Sequence, residues 1–403
     1  MYIAHYKSTK LTLLLIVLGV IFLNYVFLRP LNYPLTAAPI LVLILLPLVF
    51  SITKRSLQYF IPWTIVTTFV LLKSSWDLFN IDGTQLQFFK TFSLWLFYWT
   101  FFLAVVVFPV KNHIELSRLS NTYSTLFILI FFTCFAQSVY FKLTGDSSIF
   151  NLWGGNSYSD QGYVTKVIEF GAMKTTAFYF EPAYCALVMY SILTARQIAS
   201  KISYVNFPII LLGFYITGSF SGVICALLVL LTSVVFPDNH SKKYKNIKIV
   251  VGLLVFLFSF YFLADLITTR SLQIFDSTTS TYYRLIAPLE IIKNVLIDHP
   301  LGMLLGVMED DVLKHSLSNG DTIGKTIDNG WYLLFYYFGW SGVLAFFGYI
   351  TIGLRLAIKY KKGSLETYQF LLLSPFFTGA VFSPEFLFLQ AIVIFTFKQR
   401  QLQ

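Results

Sequence analysis

The sequence has few charged residues and few cysteines for its length. Of its 403 residues 12% are charged, whereas a soluble domain carries about 25%, and 57% are hydrophobic. The three cysteines, Cys134, Cys185 and Cys225, lie inside apolar runs and cannot form an even set of disulfides. The composition excludes an ordinary soluble protein and predicts an all-α polytopic membrane protein.

Several motifs of soluble enzymes are missing as well. Gly324-Lys325-Thr326 lacks the upstream glycine spacing of a nucleotide-binding loop. The stretch 218–222 lacks the strand-turn-helix context and the histidine partner of a nucleophile elbow. His299 and His315 show no metal-ligand spacing with the neighbouring acids. We therefore expect no metal and no cofactor.

The apolar runs predict a single membrane domain over residues 1–403 with about twelve spans. The first run follows Lys7 and Lys10 and no cleavage site follows it, which predicts an uncleaved signal anchor. The run 205–217 is too short to cross alone and is expected to pair with the next one as a hairpin turning at 218–222. The predicted spans are 11–28, 35–52, 57–73, 91–110, 122–141, 177–195, 205–217, 220–236, 247–266, 329–357, 365–382 and 386–398.

The charges predict an orientation for these spans. With a cytoplasmic amino terminus, 18 of the 29 basic residues and three of the 19 acidic ones fall in inner loops. This asymmetry follows the positive-inside rule and places both termini in the cytoplasm. It also explains the net charge of +10 without nucleic acid as a partner. Residues 142–176 and 268–328 then form a smaller and a larger loop outside the cytoplasm.

Polar residues collect where the predicted helices meet the outer surface. Irregular backbone at that depth is tolerated where it lines a wet or protein-enclosed cavity, so these stretches predict one site assembled from several helix ends. They are Lys174 to Pro182, Ser219 with Ser221, Arg284, Asp328-Asn329-Gly330, and Ser383-Pro384-Glu385.

Each stretch also has a purely structural interpretation. Glu181-Pro182 can begin a helix, because proline suits the first turn and a carboxylate suits the positive helix end. Gly218–Gly222 can be a small-residue packing site between helices. Asp328 can be a helix N-cap, and Arg284 an interfacial anchor. Outer aromatic side chains such as Tyr282 can stack on sugar rings or belong to an interface belt.

At these residues the chain resembles the Wzy-type family of O-antigen and exopolysaccharide polymerases, which is related to the O-antigen ligases. The resemblance covers residues 165–390, and it implies a GT-C-like glycosyltransferase of the bacterial inner membrane that acts on its periplasmic side. The partners it implies are undecaprenyl-diphosphate-linked oligosaccharides, membrane lipids and a chain-length regulator protein. The stretches that carry it are Lys174 to Ala183, Gly218-Ser219-Phe220-Ser221-Gly222, Tyr282-Tyr283-Arg284, Gly324 to Gly330, Phe376 to Gly379 and Phe382-Ser383-Pro384-Glu385.

The resemblance also implies roles for individual residues. Arg284 and Lys174, with Lys325 as a third cation, are expected to hold the diphosphate, although family members tend to have arginine in place of Lys174. Asp328 is the first candidate for the catalytic base and Glu181 the alternative. Glycan-binding candidates are Tyr282, Tyr283, Glu385, Ser219 and Ser221.

Two other functions remain open from the sequence. A lipid-linked oligosaccharide flippase or other transporter would be favoured by charges at mid-membrane, and the predicted spans hold almost none. An O-antigen ligase shares the fold and the chemistry and differs in its acceptor.

Overall fold

The computed structural model describes most of the chain, and the structural statements below concern this part. Described are residues 2–28, 35–51, 60–80, 85–146, 175–179, 181–235, 285–307, 327–359 and 363–403, with isolated positions between 250 and 282.

The described residues fold mainly into α-helices, with one short antiparallel ladder of two strands. In chain order the elements are α1 (Tyr2–Ile21), β1 (Val26–Leu28), β2 (Leu35–Thr36), α2 (Ala38–Val49), α3 (Phe60–Asn80), α4 (Gln85–Val107), α5 (Leu116–Thr144), α6 (Pro182–Ala199), α7 (Phe207–Thr217), α8 (Phe220–Val235), α9 (Ala287–Asp298), α10 (Gly330–Lys359), α11 (Ser364–Leu373) and α12 (Pro384–Gln401). Two 3₁₀ turns, Tyr204–Asn206 and Ser374–Phe377, precede α7 and follow α11.

The helices have the length and surface of a membrane protein. In the described part, three segments are long and apolar enough to cross a membrane: Leu86–Val107, Leu116–Thr144 and Gly330–Ala357. Shorter apolar helices lie in α1, α2, α3, α7 and α8. Many large apolar side chains, such as Leu72 and Leu344, are exposed. Such a surface is stable in contact with lipid, whereas in water it would favour aggregation. The coarse prediction of a helical membrane protein is confirmed; the count of twelve spans stays a prediction.

Helices α6 and α12 form the centre of the bundle and run parallel. At their amino-terminal ends, the Tyr184 side chain of α6 lies close to Ser383, the N-cap of α12. At their other ends, Arg400 Nη1 donates a hydrogen bond to the carbonyl oxygen of Ala199 at 3.4 Å. Nearly every residue of α6 is buried, because α5, α8, α11 and α12 all pack against it.

Helix α5 runs antiparallel to this pair. Near its start the Tyr123 hydroxyl lies 2.7 Å from the Thr396 hydroxyl, close to the end of α12. Near its end Gln137 contacts Ala177, just before α6 begins. The amino-terminal ends of α6 and α12 therefore lie at the same end of the bundle as the carboxyl-terminal end of α5.

The predicted hairpin at 205–236 is confirmed as two short helices joined by a tight turn. Helix α7 ends at Thr217 after only 11 residues. Gly218 then adopts a positive φ of +65°, which glycine adopts at little cost. Helix α8 starts at Phe220 and packs back against α7.

Two predicted spans have the wrong boundaries. The apolar run 11–28 is helical only to Ile21, and the chain then turns into the ladder of β1 and β2. The run 365–382 is an α-helix only to Leu373 and continues as a 3₁₀ turn containing Pro375. Pro375 lacks an N–H and cannot continue the hydrogen bonds of the α-helix, so the α-helix ends there although the run stays apolar.

The predicted outer loops are described only in part. Nearly all of 142–176 lies outside the described residues. Within the predicted loop 268–328 the chain forms α9, whose buried side chains include Ile291, Ile292 and Val295 and which packs against α10. Of the predicted span 247–266, isolated positions such as Leu254 and Tyr261 are described, and they are helical and exposed.

The segment after α9 enters a break in α10. Gly339 interrupts that helix with φ 54° and ψ −137°. The Trp340 N–H donates to the carbonyl oxygen of Pro300 at 3.0 Å, and the Met303 N–H donates to that of Tyr336 at 2.8 Å. Lys73 of α3 donates to the carbonyl oxygens of Met303 and Tyr337. The polar backbone at the break is thereby satisfied by another segment of the same chain.

Candidate active site

The segment before α6 is held by the side chain of a single glutamine on α5. Gln137 Oε1 accepts hydrogen bonds from the N–H groups of Thr176 at 3.2 Å and Ala177 at 2.8 Å. Its Nε2 donates to the carbonyl oxygen of Ala177 at 2.9 Å. Ala177 has φ +48°, a backbone conformation that costs free energy outside glycine. The fully buried Gln137 amide offsets that cost and fixes the direction in which the chain enters α6.

Helix α6 begins at Glu181-Pro182, as the sequence predicts. Glu181 has extended φ and ψ values of −148° and 159°, Pro182 is the first helical residue, and the carbonyl oxygen of Glu181 accepts the N–H of Cys185 at 3.0 Å. The side chain of Glu181 makes no capping hydrogen bond to its own helix. It is partly exposed.

Helix α12 begins in the same manner. Ser383 is its N-cap, and the Ser383 hydroxyl accepts the N–H of Phe386 at 3.1 Å. Pro384 follows, then Glu385, which is 8% exposed. The hydroxyl of Thr36, the last residue of β2, donates a hydrogen bond to Glu385 Oε1. A carboxylate in the first turn is also favoured by the positive end of the helix dipole.

The Tyr184 hydroxyl lies between these two helix starts. It is within electrostatic range of both Glu181 and Glu385 and lies near the Ser383 hydroxyl. This buried hydroxyl interacts with the Ser383 side chain. Two carboxylates, a serine hydroxyl and a phenol are thus found at the amino-terminal ends of two parallel helices.

The start of α8 packs directly on α6. A Cβ atom added to Gly222 would lie 2.7 Å from the Cβ of Ala186, so only glycine permits this approach. The Ser219 hydroxyl accepts the Gly222 N–H at 3.3 Å, and Ser219 is buried, whereas Ser221 is partly exposed. These contacts fit the small-residue packing interpretation of 218–222 and leave Ser221 as the more accessible serine.

The start of α10 is tied to the loop that leads into α12. Asn329 Oδ1 accepts the N–H of Trp331 at 3.1 Å. A Cβ on Gly379 would lie 2.1 Å from the carbonyl oxygen of Ile327 and 3.4 Å from the Cα of Asp328. Asp328 is exposed and Asn329 is fully buried. The helix end is therefore capped by Asn329, next to an exposed Asp328 carboxylate.

Helices α6, α8, α10 and α12 begin at this end of the bundle, as does α2, which follows Thr36. Their first turns direct backbone N–H groups and positive partial charge toward the same region. Carboxylates placed there can accept hydrogen bonds from sugar hydroxyls, and a carboxylate near an acceptor hydroxyl can take its proton. We name this group of residues, Glu181, Tyr184, Ser383 and Glu385, the carboxylate cluster.

The structure places six of the ten predicted site residues. Glu181 and Glu385 lie at the starts of the parallel helices α6 and α12, and Ser219 and Ser221 lie at the neighbouring start of α8. Asp328 is at the start of α10, beside Gly379. Tyr282 is partly buried, and its carbonyl oxygen accepts the N–H of Ile286 at 2.8 Å. Outside the described residues lie Lys174, Tyr283, Arg284 and Lys325.

Three residues of the site are not predicted from the sequence. Thr36 and Gln137 come from distant elements whose relation to α6 and α12 only tertiary packing reveals. Tyr184 could have been found, because it lies three residues after Glu181 and residues at that spacing share a helix face. Over the described ranges, no group of three or more His, Cys, Asp or Glu side chains is placed to hold a metal ion.

Comparisons with known proteins identify the family of the chain. No solved structure matches the chain. Over 254 residues, which are 61% of this chain and 62% of the relative, it is 34% identical to the "Putative colanic acid polymerase" of Escherichia coli (strain K12). The alignment thus spans less than two thirds of that relative's length. The family model for WcaD colanic acid polymerase matches residues 11–399, nearly the whole chain. The chain therefore belongs to the WcaD colanic acid polymerase family.

Proposed function

We propose that this chain is a polysaccharide polymerase. In this proposal it joins undecaprenyl-diphosphate-linked repeat units into an O-antigen, capsule or exopolysaccharide. The observation that carries the proposal is the family match over residues 11–399. The carboxylate cluster supports it, because polar groups beside apolar helices suit a substrate with a sugar head and an isoprenoid tail.

The reaction is a transfer of the growing glycan to a new repeat unit. An acceptor hydroxyl loses its proton to a carboxylate as its oxygen bonds to the anomeric carbon of the donor glycan. The bond between that carbon and the diphosphate oxygen breaks, and undecaprenyl diphosphate leaves with the electron pair. The reaction needs a base for the acceptor hydroxyl, cationic side chains that bind the anionic diphosphate, and sites for two lipid-linked glycans. These groups can carry it out without a metal.

Asp328 is the proposed base and Glu181 the alternative. The capping hydrogen bond at the start of α10 comes from Asn329, which supports a role for Asp328 other than capping. Its exposure next to Gly379, in the loop that leads to Ser383, supports access to a substrate in the carboxylate cluster. Glu181 is supported by its partial exposure and by the absence of a capping bond within α6.

The diphosphate is proposed to bind Arg284, Lys174 and Lys325. Support comes from the described neighbours of two of them. The Tyr332 hydroxyl on the first turn of α10 donates to the carbonyl oxygen of Leu285 at 3.1 Å. The Thr175 hydroxyl donates to the carbonyl oxygen of Ile216 at 3.1 Å, near the start of α8. The chain next to Arg284 and next to Lys174 is thus held at the end of the bundle where α8 and α10 begin.

The glycan is proposed to contact Glu385, Ser221 and the aromatic pair Tyr282 and Tyr283, with Ser219 as a further contact. The carboxylate of Glu385 accepts hydrogen bonds, and tyrosine rings can stack on sugar rings. Ser219 is the weakest of the five, because its hydroxyl already accepts a backbone N–H within α8.

The site is proposed to face the periplasm from a bacterial inner membrane, with both termini in the cytoplasm. Support comes from the basic residues Arg196, Lys398 and Arg400, which lie toward the carboxyl-terminal ends of α6 and α12, opposite the carboxylate cluster. The partners in this proposal are lipid-linked oligosaccharides, membrane lipids and a chain-length regulator protein.

Deletion of the gene followed by glycan analysis tests the proposal. Loss of long polymer with accumulation of lipid that carries one repeat unit is the expected result, and expression of the wild-type chain should restore the polymer. Long polymer that is made but left unattached would indicate a ligase instead. Repeat units trapped on the cytoplasmic face would indicate a flippase.

A further inference from the structure

Residues 175–179, which we name the entry segment, contain a strained backbone conformation just before α6. Ala177 has φ +48°, and among the described residues it is the one non-glycine residue with a positive φ. This conformation costs free energy because the Cβ atom crowds the backbone. Such strain is found where the surrounding structure imposes it, and it clusters at functional sites. The entry segment therefore holds a geometry that its own sequence does not favour.

Gln137 of α5 imposes this geometry through hydrogen bonds to the backbone. Its Oε1 accepts the N–H groups of Thr176 at 3.2 Å and Ala177 at 2.8 Å, and its Nε2 donates to the carbonyl oxygen of Ala177 at 2.9 Å. Gln137 and Ala177 are each 1% exposed, and Thr176 is fully buried. Because water does not reach these groups, loss of the amide would leave buried backbone groups without these partners.

Two further hydrogen bonds tie the entry segment to other helices. The Thr175 hydroxyl donates to the carbonyl oxygen of Ile216 in α7 at 3.1 Å. The Tyr179 hydroxyl donates to the carbonyl oxygen of Val20 in α1 at 3.1 Å. Together with Gln137, these contacts hold five consecutive residues from three helices, α1, α5 and α7. Only Gln137 contacts the strained residue itself.

The entry segment carries two predicted site residues at its ends. In the sequence Lys174 directly precedes it, and Glu181 follows two residues after it. The carbonyl oxygen of Glu181 accepts the first hydrogen bond of α6, from the N–H of Cys185. The position of the entry segment therefore sets where Glu181 stands at the start of α6. A shift of about 1 Å in a reacting group can lower a rate about 100-fold.

We infer that Gln137 is a positioning residue for chain extension, which acts through the entry segment to hold Glu181 in place. The inference rests on the proposed function and adds a residue of α5 to the machinery of the site. Gln137 itself is buried and touches no substrate. Its amide fixes the strained turn at Ala177, and that turn fixes the approach of the chain to α6.

Gln399 provides a matched control at the other end of the bundle. It lies near the end of α12 and is fully buried. Its Oε1 accepts the N–H of Ile114 at 3.0 Å, and its Nε2 donates to the carbonyl oxygen of Asn112 at 2.7 Å. Gln399 thus holds the segment before α5 as Gln137 holds the segment before α6. A purely structural role for Gln137 predicts that the two glutamines respond alike to substitution.

The experiment compares the wild type with Gln137→Met and Gln399→Met. Methionine keeps the length of the side chain and removes the amide. Each purified protein is given lipid-linked single repeat units over a range of concentrations, well below its melting temperature in detergent. Both variants should melt at lower temperature, since each loses buried hydrogen bonds. For Gln137→Met we expect kcat to fall about tenfold or more with KM close to the wild-type value. Gln399→Met should keep the wild-type kcat.

Thr175→Val is a milder variant of the same segment. It keeps the shape of the side chain and removes the single hydrogen bond to Ile216. We expect kcat to fall in the same direction as for Gln137→Met, by a smaller factor, with KM again close to the wild-type value. If Gln137→Met does not fold, this variant decides, and a wild-type kcat in Thr175→Val would then overturn the inference.

The outcomes separate this inference from the proposed function. A wild-type kcat in well-folded Gln137→Met would overturn the positioning role and leave the polymerase proposal standing. Equal falls of kcat in Gln137→Met and Gln399→Met would also overturn it, because lost stability would then explain both. No extension by the wild type, in a preparation with a normal melting transition, would contradict the polymerase proposal itself.

Discussion

Thr36 and Glu385 lie 349 positions apart in the chain, and the Thr36 hydroxyl donates a hydrogen bond to the Glu385 carboxylate. Both residues are buried. The bond ties the ladder after α1 to the start of α12, so the amino-terminal part of the chain helps to build the candidate site. An uncompensated carboxylate in such a position is costly, which makes Thr36 a test of how the site is held together.

Removing the Thr36 hydroxyl should destabilise the protein. Thr36→Val keeps the shape and takes away the donor, which leaves Glu385 buried without that hydrogen bond. We expect a loss of about 1–3 kcal/mol in the free energy of unfolding, the usual cost of an unsatisfied buried group. Thermal unfolding in detergent measures it. Thr36→Ser keeps a hydroxyl and should recover much of the loss, whereas equal stability of Thr36→Val and wild type would show that the hydrogen bond contributes little.

Asp328→Asn should abolish chain extension while the protein still folds and inserts in the membrane. The amide keeps the shape of the side chain and cannot accept a proton, while the cap on α10 comes from Asn329. Glycan analysis of complemented deletion cells measures polymer length. Asn329→Ala is the control for the cap and should cost about 1 kcal/mol of stability.

Normal polymer length in Asp328→Asn would transfer the role of base to Glu181. In that case Glu181→Gln should stop extension, since its carboxylate is the alternative at the same end of the bundle. If both variants extend normally, neither carboxylate is the base.

Arg284→Ala should lose polymerisation while the protein still inserts in the membrane. The negative charge that develops on the leaving diphosphate then lacks compensation, and comparable electrostatic groups contribute about 100-fold or more to rate. Arg284→Lys should recover part of the activity, because it restores the charge but not the planar fork. Membrane protein level is measured beside polymer length. Full activity in Arg284→Ala would remove this residue from the mechanism.

Gly339→Ala should destabilise the protein. Its φ of 54° and ψ of −137° lie in a sparsely populated region, which costs a non-glycine residue about 1–3 kcal/mol. The added Cβ would also lie 2.2 Å from the carbonyl oxygen of Pro300, in the segment that fills the break in α10. Gly348, in the same helix, has nothing within 4 Å of an added Cβ, so Gly348→Ala should be neutral or stabilising. Melting temperatures of the two variants test the contrast, and equal values would contradict it.

Local signals account for the parts of the site that the sequence predicts. Glu181-Pro182 and Ser383-Pro384 begin helices because proline suits the first turn and lacks only an N–H that is unpaired there anyway. Gly218 ends α7 because it can adopt a positive φ. Pro375 is an equally local signal for the end of α11. The prediction extended this span to residue 382 because the whole run 365–382 is apolar.

Long-range packing accounts for what the sequence does not predict. Nothing near Thr36 indicates a bond to Glu385, and nothing near Met303 indicates that its N–H pairs with Tyr336. These contacts depend on how helices pack, not on the residues beside them. The placement of Glu181 and Glu385 at the same end of the bundle lies between the two cases, because the helix starts are local but their adjacency depends on α6 and α12 running parallel.

The orientation of the chain predicts a labelling pattern. Ser318→Cys, in the predicted outer loop 268–328, should react with a membrane-impermeant thiol reagent in intact cells. Ser203→Cys, at an exposed position after α6, should react only after permeabilisation. The natural cysteines are buried and should give little background. The reverse pattern would show that the predicted orientation, and with it a periplasmic site, is wrong.

Reconstitution of the purified chain tests the central claim most directly. Proteoliposomes that contain the protein and lipid-linked single repeat units are incubated, and the lipid-linked glycans are separated by size. We predict a ladder of products that differ by one repeat unit, with release of undecaprenyl diphosphate as the ladder grows, and no ladder with the Arg284→Ala protein. Single repeat units that remain unextended, or that cross the bilayer unchanged, in the presence of well-folded wild-type protein would contradict the account.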